Sequence, residues 1–248
     1  MNIWEETVLV RFGDIDCSDR LTIAAACGYF QEAAIHHVEQ LGFGRDTLLQ
    51  SRQAWVLSRL SVFMERRPRY RERITVRSWP QGEQKLFAIR NYEIRNEHGE
   101  GMVWGKSAWL ILDVDKRIPL RARTIVAHLP DNSGLDSLSD GAQALKAYNP
   151  LTKVSERHAQ YSDIDYNGHV NNVRYIQWIA DCTEPSLLEH AEQIRIDINY
   201  MHEIKKKECV SILSGAIDDH RCAYEGHRDG HVMFRAELGT FEKGQTST

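Results

Sequence analysis

The chain has 248 residues, 42% hydrophobic and 27% charged, a balance typical of a globular protein with room for two ordinary domains or one large one. A formal net charge of −4 and a pI near 6.3 exclude the concentrated basic surface that general nucleic-acid affinity requires. The first residues lack the basic and apolar regions of a signal peptide, and no apolar run approaches the ~20 residues of a membrane span. Five cysteines without a C-x-x-C pair argue against a disulfide framework or zinc site, so a reducing cytoplasm is the expected compartment.

Residues 7–12 read as a short strand, followed by the acidic turn Gly13-Asp14-Ile15-Asp16. A helix is expected from about Ala24 to Leu41, stopped by Gly42, with Ala26, Phe30, Ala33, Ala34 and Val38 on one buried face. Four long strands rich in β-branched and aromatic residues follow, at 55–64, 73–79, 85–94 and 102–112, separated by polar turns such as Asn96-Glu-His-Gly99. One helix followed by antiparallel strands predicts a sheet wrapped around that helix. From Pro130 the composition shifts to Asp, Asn, Ser and Gly, which marks a linker; the expected division is 1–130, a linker at 131–149, and 150–248.

Beyond the linker the order repeats: an acidic turn, a helix from about Asn171 to a stop near Pro185, then strands near 193–201, 208–217, 221–227 and 231–242. Gly13-Asp14-Ile15-Asp16 aligns with Ser162-Asp163-Ile164-Asp165, and the same offset places Tyr29-Phe30 on Trp178-Ile179. Phe63-Met64 falls on Tyr200-Met201 at a shorter offset, as an insertion before the strand would produce. The two copies differ in chemistry. Where the second carries Asn167 and His169, the first carries Ser18 and Arg20, so the first is expected to have lost a function that the second keeps.

That function centres on the stretch from Tyr161 to Tyr175. Asp165, Asn167 and His169 stand at alternate positions of a turn-forming segment, just before the apolar-periodic Val173, Tyr175, Ile176 and Ile179. A carboxylate, an amide and an imidazole thus gather at a helix N-terminus, whose unpartnered N–H groups can hold a developing oxyanion. The same residue types also make ordinary turns and caps.

The pattern Asp165-x-Asn167-x-His169-Val170-Asn171-Asn172-x-x-Tyr175-Ile176 resembles the active-site signature of the acyl-[acyl carrier protein] thioesterases, the plant fatty-acyl enzymes and their bacterial relatives. The strand Trp55-Val-Leu-Ser-Arg-Leu and the segment Ser107-Ala-Trp109-Leu-Ile-Leu-Asp resemble the family's first domain. The resemblance implies an α+β protein of two tandem hot-dog domains, each a long helix wrapped by an antiparallel sheet. It further implies hydrolysis of fatty acyl-acyl carrier protein, with the carrier as partner and no cofactor; a metal is not expected, because no H-x-x-x-H or His/Cys cluster at ligand spacing accompanies the motif. Family members carry a catalytic glutamate followed by a cysteine in the strand after the second helix. Glu203 takes the glutamate's place here, but Ile204 occupies the cysteine's place, and Cys209 lies five residues further on, about 15 Å along an extended chain. A thiol nucleophile therefore fits poorly, and attack by water fits better.

In that scheme Glu203 would orient or deprotonate the water, its pKa raised if the acyl tunnel desolvates it. Asn167 would donate to the thioester oxygen or hold the water, and His169 near the helix start would serve as base or relay. Asp165 would orient the imidazole or share the base role. Glu203, His169 and Asp165 all stay in play as the group that takes the proton. Phe30, Trp55, Leu57, Asn171 and Asn172 are the expected substrate-binding residues, with the first domain supplying an apolar acyl pocket. The basic runs 66–73 and Lys205-Lys206-Lys207 are charged loops, one of which would favour docking of an acidic carrier; His158 and His202 read as surface histidines. An acyl-CoA thioesterase is the nearest rival and a non-enzymatic acyl-lipid sensor a further one. Hot-dog hydratases place the histidine five positions after the aspartate, whereas His169 is four after Asp165. Tandem copies supply internally the pairing that single copies obtain by dimerisation, so a monomer suffices, and a homodimer stays open.

Overall fold

The long helix α1 (Ile23–Gln40) starts where Thr22 Oγ1 accepts the Ala25 N–H at 3.1 Å, and it ends before Gly42, whose φ of +81° few side chains tolerate. Its buried face is mostly small, with Ala24, Ala26, Cys27, Ala33 and Ala34 around the single large ring of Phe30. His37 rather than the expected Val38 continues that face, and its ring nitrogen lies 3.2 Å from Arg90 Nη1. These contacts belong to a computed structural model that describes residues 2–242.

Around α1 run β1 (Trp4–Leu9), β2 (Gln53–Met64), β3 (Arg73–Gln84), β4 (Phe87–Arg95), β5 (Gly101–Asp113) and the short β6 (Ile118–Leu120), with the short helices α2 (Arg45–Gln50) and α3 (Arg123–Val126). The second half comprises β7 (Thr152–His158), α4 (Asn172–Ala180), α5 (Pro185–His190), β8 (Gln193–Tyr200), β9 (Cys209–Ala216), β10 (Arg221–Arg228) and β11 (His231–Phe241). All long strands form one antiparallel sheet in the order β1-β3-β4-β5-β2-β8-β11-β10-β9-β7, with β6 paired to β5. Read outward from the central β2–β8 pair, each half has the same strand sequence.

Alternation along the central strands sets the two faces of the sheet. Leu60, Val62 and Met64 of β2 and Ile194, Ile196 and Ile198 of β8 are buried in the main core with α1 and α4. On the opposite face Ser61 bonds Asp197, and the segment 127–151 crosses it: Ala142 N–H donates to Ser61 Oγ at 2.7 Å and Leu145 N–H to Asn199 Oδ1 at 2.8 Å. Among the described residues no helix is long and apolar enough to cross a membrane.

Three expectations need correction. The helix expected from Asn171 to Pro185 stops at Asp181, and Pro185, which has no N–H to donate into a helix interior, opens α5 instead. The first strand ends at Leu9, because Phe12–Asp14 folds into one 3-10 turn. The strand β7 went unexpected, since an edge strand with polar residues on both faces shows no apolar alternation.

Gly105 shows how tightly α1 sits on the sheet. A Cβ there would stand 2.7 Å from the Phe30 ring, which stacks on Tyr92 at 4.8 Å. Gly105→Ala is expected to destabilise the fold by about 1–3 kcal/mol through overpacking, read as a lower urea midpoint at unchanged slope.

Candidate active site

The signature segment forms a closed loop. Ile164 and Val170 make an isolated antiparallel bridge, and within it Asp165 N–H donates to His169 O at 2.9 Å and Gly168 N–H to Asp165 O at 3.0 Å. Asp165 Oδ1 accepts the Asn167 N–H at 2.8 Å, an Asx turn that leaves Asn167 exposed at the tip. Gly168 has φ of +83°, a left-handed backbone where a Cβ is unfavourable.

The chain after β8 latches this loop. Val170 N–H donates to Ile204 O at 2.8 Å and His169 bridges Lys205, which brings Glu203 Oε2 to 3.1 Å from His169 Nε2. Ile204 is fully buried, so its role at this point is to anchor the latch. The partner of the imidazole is thus Glu203, while Asp165 braces the turn. Glu203 is 56% exposed and His169 28%. The chain itself therefore does not supply the water-excluding surroundings expected for Glu203.

The loop runs directly into α4. Asn171 caps it, its side chain accepting the Val173 N–H at 2.9 Å while its carbonyl takes the Arg174 N–H at 2.9 Å, which leaves the Asn172 N–H as the free donor at this terminus. Arg45, the first residue of α2, reaches across from the other half: its Nε lies 3.4 Å from Asn167 Oδ1 and its guanidinium 4.8 Å above the Tyr166 ring. Sequence reasoning missed Arg45, which sits far from the signature on a short helix that carries no motif.

Behind the helix terminus lies a narrow cavity of ≈ 20 Å³, room for about one water molecule. Both halves line it, with Cys27, Phe30, Leu57 and Tyr92 on one side and Asn172, Ile176 and Tyr200 on the other. Of the expected substrate-binding residues, Phe30, Leu57 and Asn172 meet here. Trp55 stands apart, its Nε1 donating to Phe43 O at 3.0 Å beneath α2 and α3, and Asn171 is engaged as the cap. Burial raises the pKa of Tyr200 well above the ordinary phenol value, so it lines the cavity as a neutral donor, its hydroxyl donating to Asn172 O at 3.1 Å.

The equivalent turn of the first half has the same backbone and a different fate. Ile15 bridges Leu21, Asp16 N–H donates to Arg20 O at 2.9 Å, and Asp16 Oδ1 accepts the Ser18 N–H at 2.9 Å. Here α5 and its following residue seal the loop: Ser18 Oγ donates to Glu189 O at 3.3 Å and Arg20 Nη1 to Ala191 O at 3.0 Å. Buried Arg67 pairs with Asp16 and donates to Leu188 O at 2.8 Å.

Comparison with known proteins identifies the family. The family model for the acyl-ACP thioesterase N-terminal domain matches residues 1–127, and that for the acyl-ACP thioesterase C-terminal domain matches residues 149–243. A palmitoyl-acyl carrier protein thioesterase of Cuphea hookeriana is 26% identical over 259 aligned positions, covering 98% of this chain and 61% of the relative. The chain thus spans about three-fifths of the length of the curated relatives it matches. An acyl-ACP thioesterase structure from Bacteroides thetaiotaomicron superposes with a TM-score of 0.88 at 24% identity, covering 97% of this chain and 98% of that one. The 12:0-ACP thioesterase of Umbellularia californica gives 0.84 at 21% identity, with 98% of each chain covered. Those likenesses establish a hot-dog-type α+β fold. By its matches along nearly the whole sequence, the chain belongs to the acyl-ACP thioesterase family.

Proposed function

We propose that the chain hydrolyses the thioester of a fatty acyl group carried on acyl carrier protein, releasing the free fatty acid and the carrier's phosphopantetheine thiol. The observation that carries this reading is the His169–Glu203 pair, 3.1 Å apart, at the helix terminus that also borders an apolar cavity. Family membership supports the same reaction.

In the proposed mechanism water is the nucleophile. Glu203 and His169 act as a coupled carboxylate–imidazole pair that takes the water's proton, and His169 returns a proton to the departing thiolate. Arg45 holds the Asn167 carbonyl end, which turns the amide N–H toward the thioester oxygen; the Asn172 N–H at the α4 terminus is the second donor to the oxyanion. Asp165 acts through the turn it braces. The acyl chain occupies the cavity between α1 and α4, whose narrowness requires side chains to move on admission.

The architecture we propose is a tandem pair of hot-dog units, 1–130 and 150–248, joined by 131–149, the first supplying acyl-pocket wall and the second the chemistry. Two features support it: the matching strand sequence of the halves and the loop that is built twice. For the carrier, Lys205, Lys206 and Lys207 flank Glu203, and Arg45 stands on the other side of the loop, a positive rim suited to an acidic partner. Three arginines of the run 66–73 are already paired with carboxylates, Arg66 with Glu72, Arg67 with Asp16 and Arg69 with Asp19 at 3.7 Å.

Purified protein should release thiol faster from acyl carrier protein thioesters than from CoA thioesters, with an optimum in chain length. Preference for CoA would transfer the protein to the acyl-CoA class, and no release from either would remove the hydrolytic reading. Glu203→Gln should lower kcat about 100-fold or more with KM little changed, as expected for a group acting in proton transfer.

Asp165 gives a separate check. Asp165→Asn keeps an acceptor for the Asn167 N–H and should keep most activity, whereas Asp165→Ala should lose about 1 kcal/mol of stability with the turn's hydrogen bond and activity with it. Equal collapse of activity in both variants, with Asp165→Asn fully folded, would mean that the charge itself acts in the reaction.

A further inference from the structure

Away from the catalytic loop, folding assembles a set of side chains that linear spacing does not announce. Glu156 and His158 stand two residues apart on β7 and so project from one face of the sheet. Cys209, the first residue of β9, is paired directly across from His158. A carboxylate oxygen of Glu156, a ring nitrogen of His158 and Cys209 Sγ all lie within 4.8 Å of one another. This is the outward face, since the alternating Val210 and Ile212 of β9 are fully buried in the core. Glu156 and His158 are exposed and Cys209 half-buried, so solvent reaches the cluster.

We propose that Glu156, His158 and Cys209 bind one zinc ion, with water as the fourth ligand. One thiolate, one imidazole and one carboxylate suit a borderline-soft ion that accepts mixed donors, whereas magnesium and calcium require oxygen throughout. Bonds of about 2.0–2.3 Å in a tetrahedral site place donor atoms roughly 3.5 Å apart. The set therefore has to close by only about 1 Å, which side-chain rotations on an exposed face supply.

Two present contacts have to yield or be shared. Lys153 Nζ lies 2.5 Å from Glu156 Oε2, and the Cys209 thiol stands within 4.8 Å of a carboxylate oxygen of the same residue. As the zinc–sulfur bond forms, the thiol proton leaves to solvent, and the second oxygen of Glu156 stays available to Lys153. The placement gives the ion a structural purpose. β7 is the last strand of the sheet and pairs only with β9. Just beyond the cluster, Ala159 N–H donates to Glu208 O and Lys207 N–H to Ala159 O, both at 2.9 Å. A bound ion would staple the edge strand to the start of β9, just after the connection from β8 that carries Glu203, without entering the chemistry.

The full chain, stripped with a chelator, is titrated with zinc against a chromophoric competitor, and with cobalt to read thiolate-to-metal charge transfer. The expected result is one equivalent bound, a cobalt charge-transfer band, and a thermal midpoint that rises with zinc. Cys209→Ser and His158→Ala should each weaken binding about 10-fold or more, in line with the loss of a metal ligand, and Cys209→Ser should abolish the band. Circular dichroism of metal-free Cys209→Ser matching metal-free wild type confirms that the variant is folded. No binding by wild type, or equal binding by wild type and both variants, overturns the proposal.

Discussion

The pairing of β2 with β8 is the constraint on which the site depends. Six residues on each strand, from Arg59 opposite Asn199 to Met64 opposite Ile194, turn two half-sheets into one. Without it each half would present an unpaired central edge, an open row of backbone donors and acceptors. The register is strongly specified, because a slip of one residue would carry Asp197 and Arg195 into the core and expel Ile194, Ile196 and Ile198. The outer face reinforces the same alignment. Arg195 donates to Asp197 at 2.8 Å and to Asp140 at 2.7 Å, and Asn199 Nδ2 to Gln143 O at 2.9 Å, so the segment 127–151 straps the junction from outside. With the register held, α1 and α4 share one face, and the cavity between them takes walls from both halves.

The chain builds its loop twice and leaves one copy open. The main-chain bonds that close the two turns correspond, Asp16 N–H to Arg20 O with Asp19 N–H to Asp16 O in one and Asp165 N–H to His169 O with Gly168 N–H to Asp165 O in the other, so the difference is made by what packs on each. α5 and the residue after it cover the first turn with Leu188, Glu189 and Ala191, and Arg67 pairs with Asp16. At the second turn the neighbour from the opposite half is α2, which contributes a single long side chain, Arg45, and leaves Asn167 exposed. Ser18 and Arg20 suit a sealed turn because they donate to carbonyls of the covering segment. Asn167 and His169 suit an open one because Asn167 stays exposed at the tip and the imidazole meets Glu203 rather than a covering segment.

Much of this was legible in the residues. The strands 55–64 and 102–112 follow from β-branched and aromatic runs, and α1 from its spacing and the glycine that ends it. The signature segment located the loop, and the Glu203 position came from resemblance. What the sequence withheld was partnership. Period and composition report which face a residue occupies and say nothing of which distant segment meets it. Hence the imidazole's neighbour proved to be Glu203 rather than Asp165, Arg45 entered from the other half, and Trp55 turned toward α2 and α3. The cluster of Glu156, His158 and Cys209 depends in the same way on the register of β7 against β9, for which an edge strand's residues carry no visible pattern.

The openness of the site sets a requirement on any reaction it performs. Half-exposed, Glu203 is solvated, and a solvated carboxylate interacts weakly with charge developing a few ångströms away. Low-dielectric surroundings strengthen every electrostatic contact in a site, so the pair gains force only when water is excluded. The chain itself supplies little of that exclusion on the outer side, where Tyr166, Asn167 and Lys205 to Lys207 face solvent. On the inner side the cavity is too narrow to hold a chain until its lining moves. A substrate with two ends would meet both needs at once. Its apolar tail would open the cavity and gain from burial there, while the body of a bulky carrier would cover the exposed rim and dry the His169–Glu203 pair. Carrier and chain would then each contribute to turnover through the same physical step.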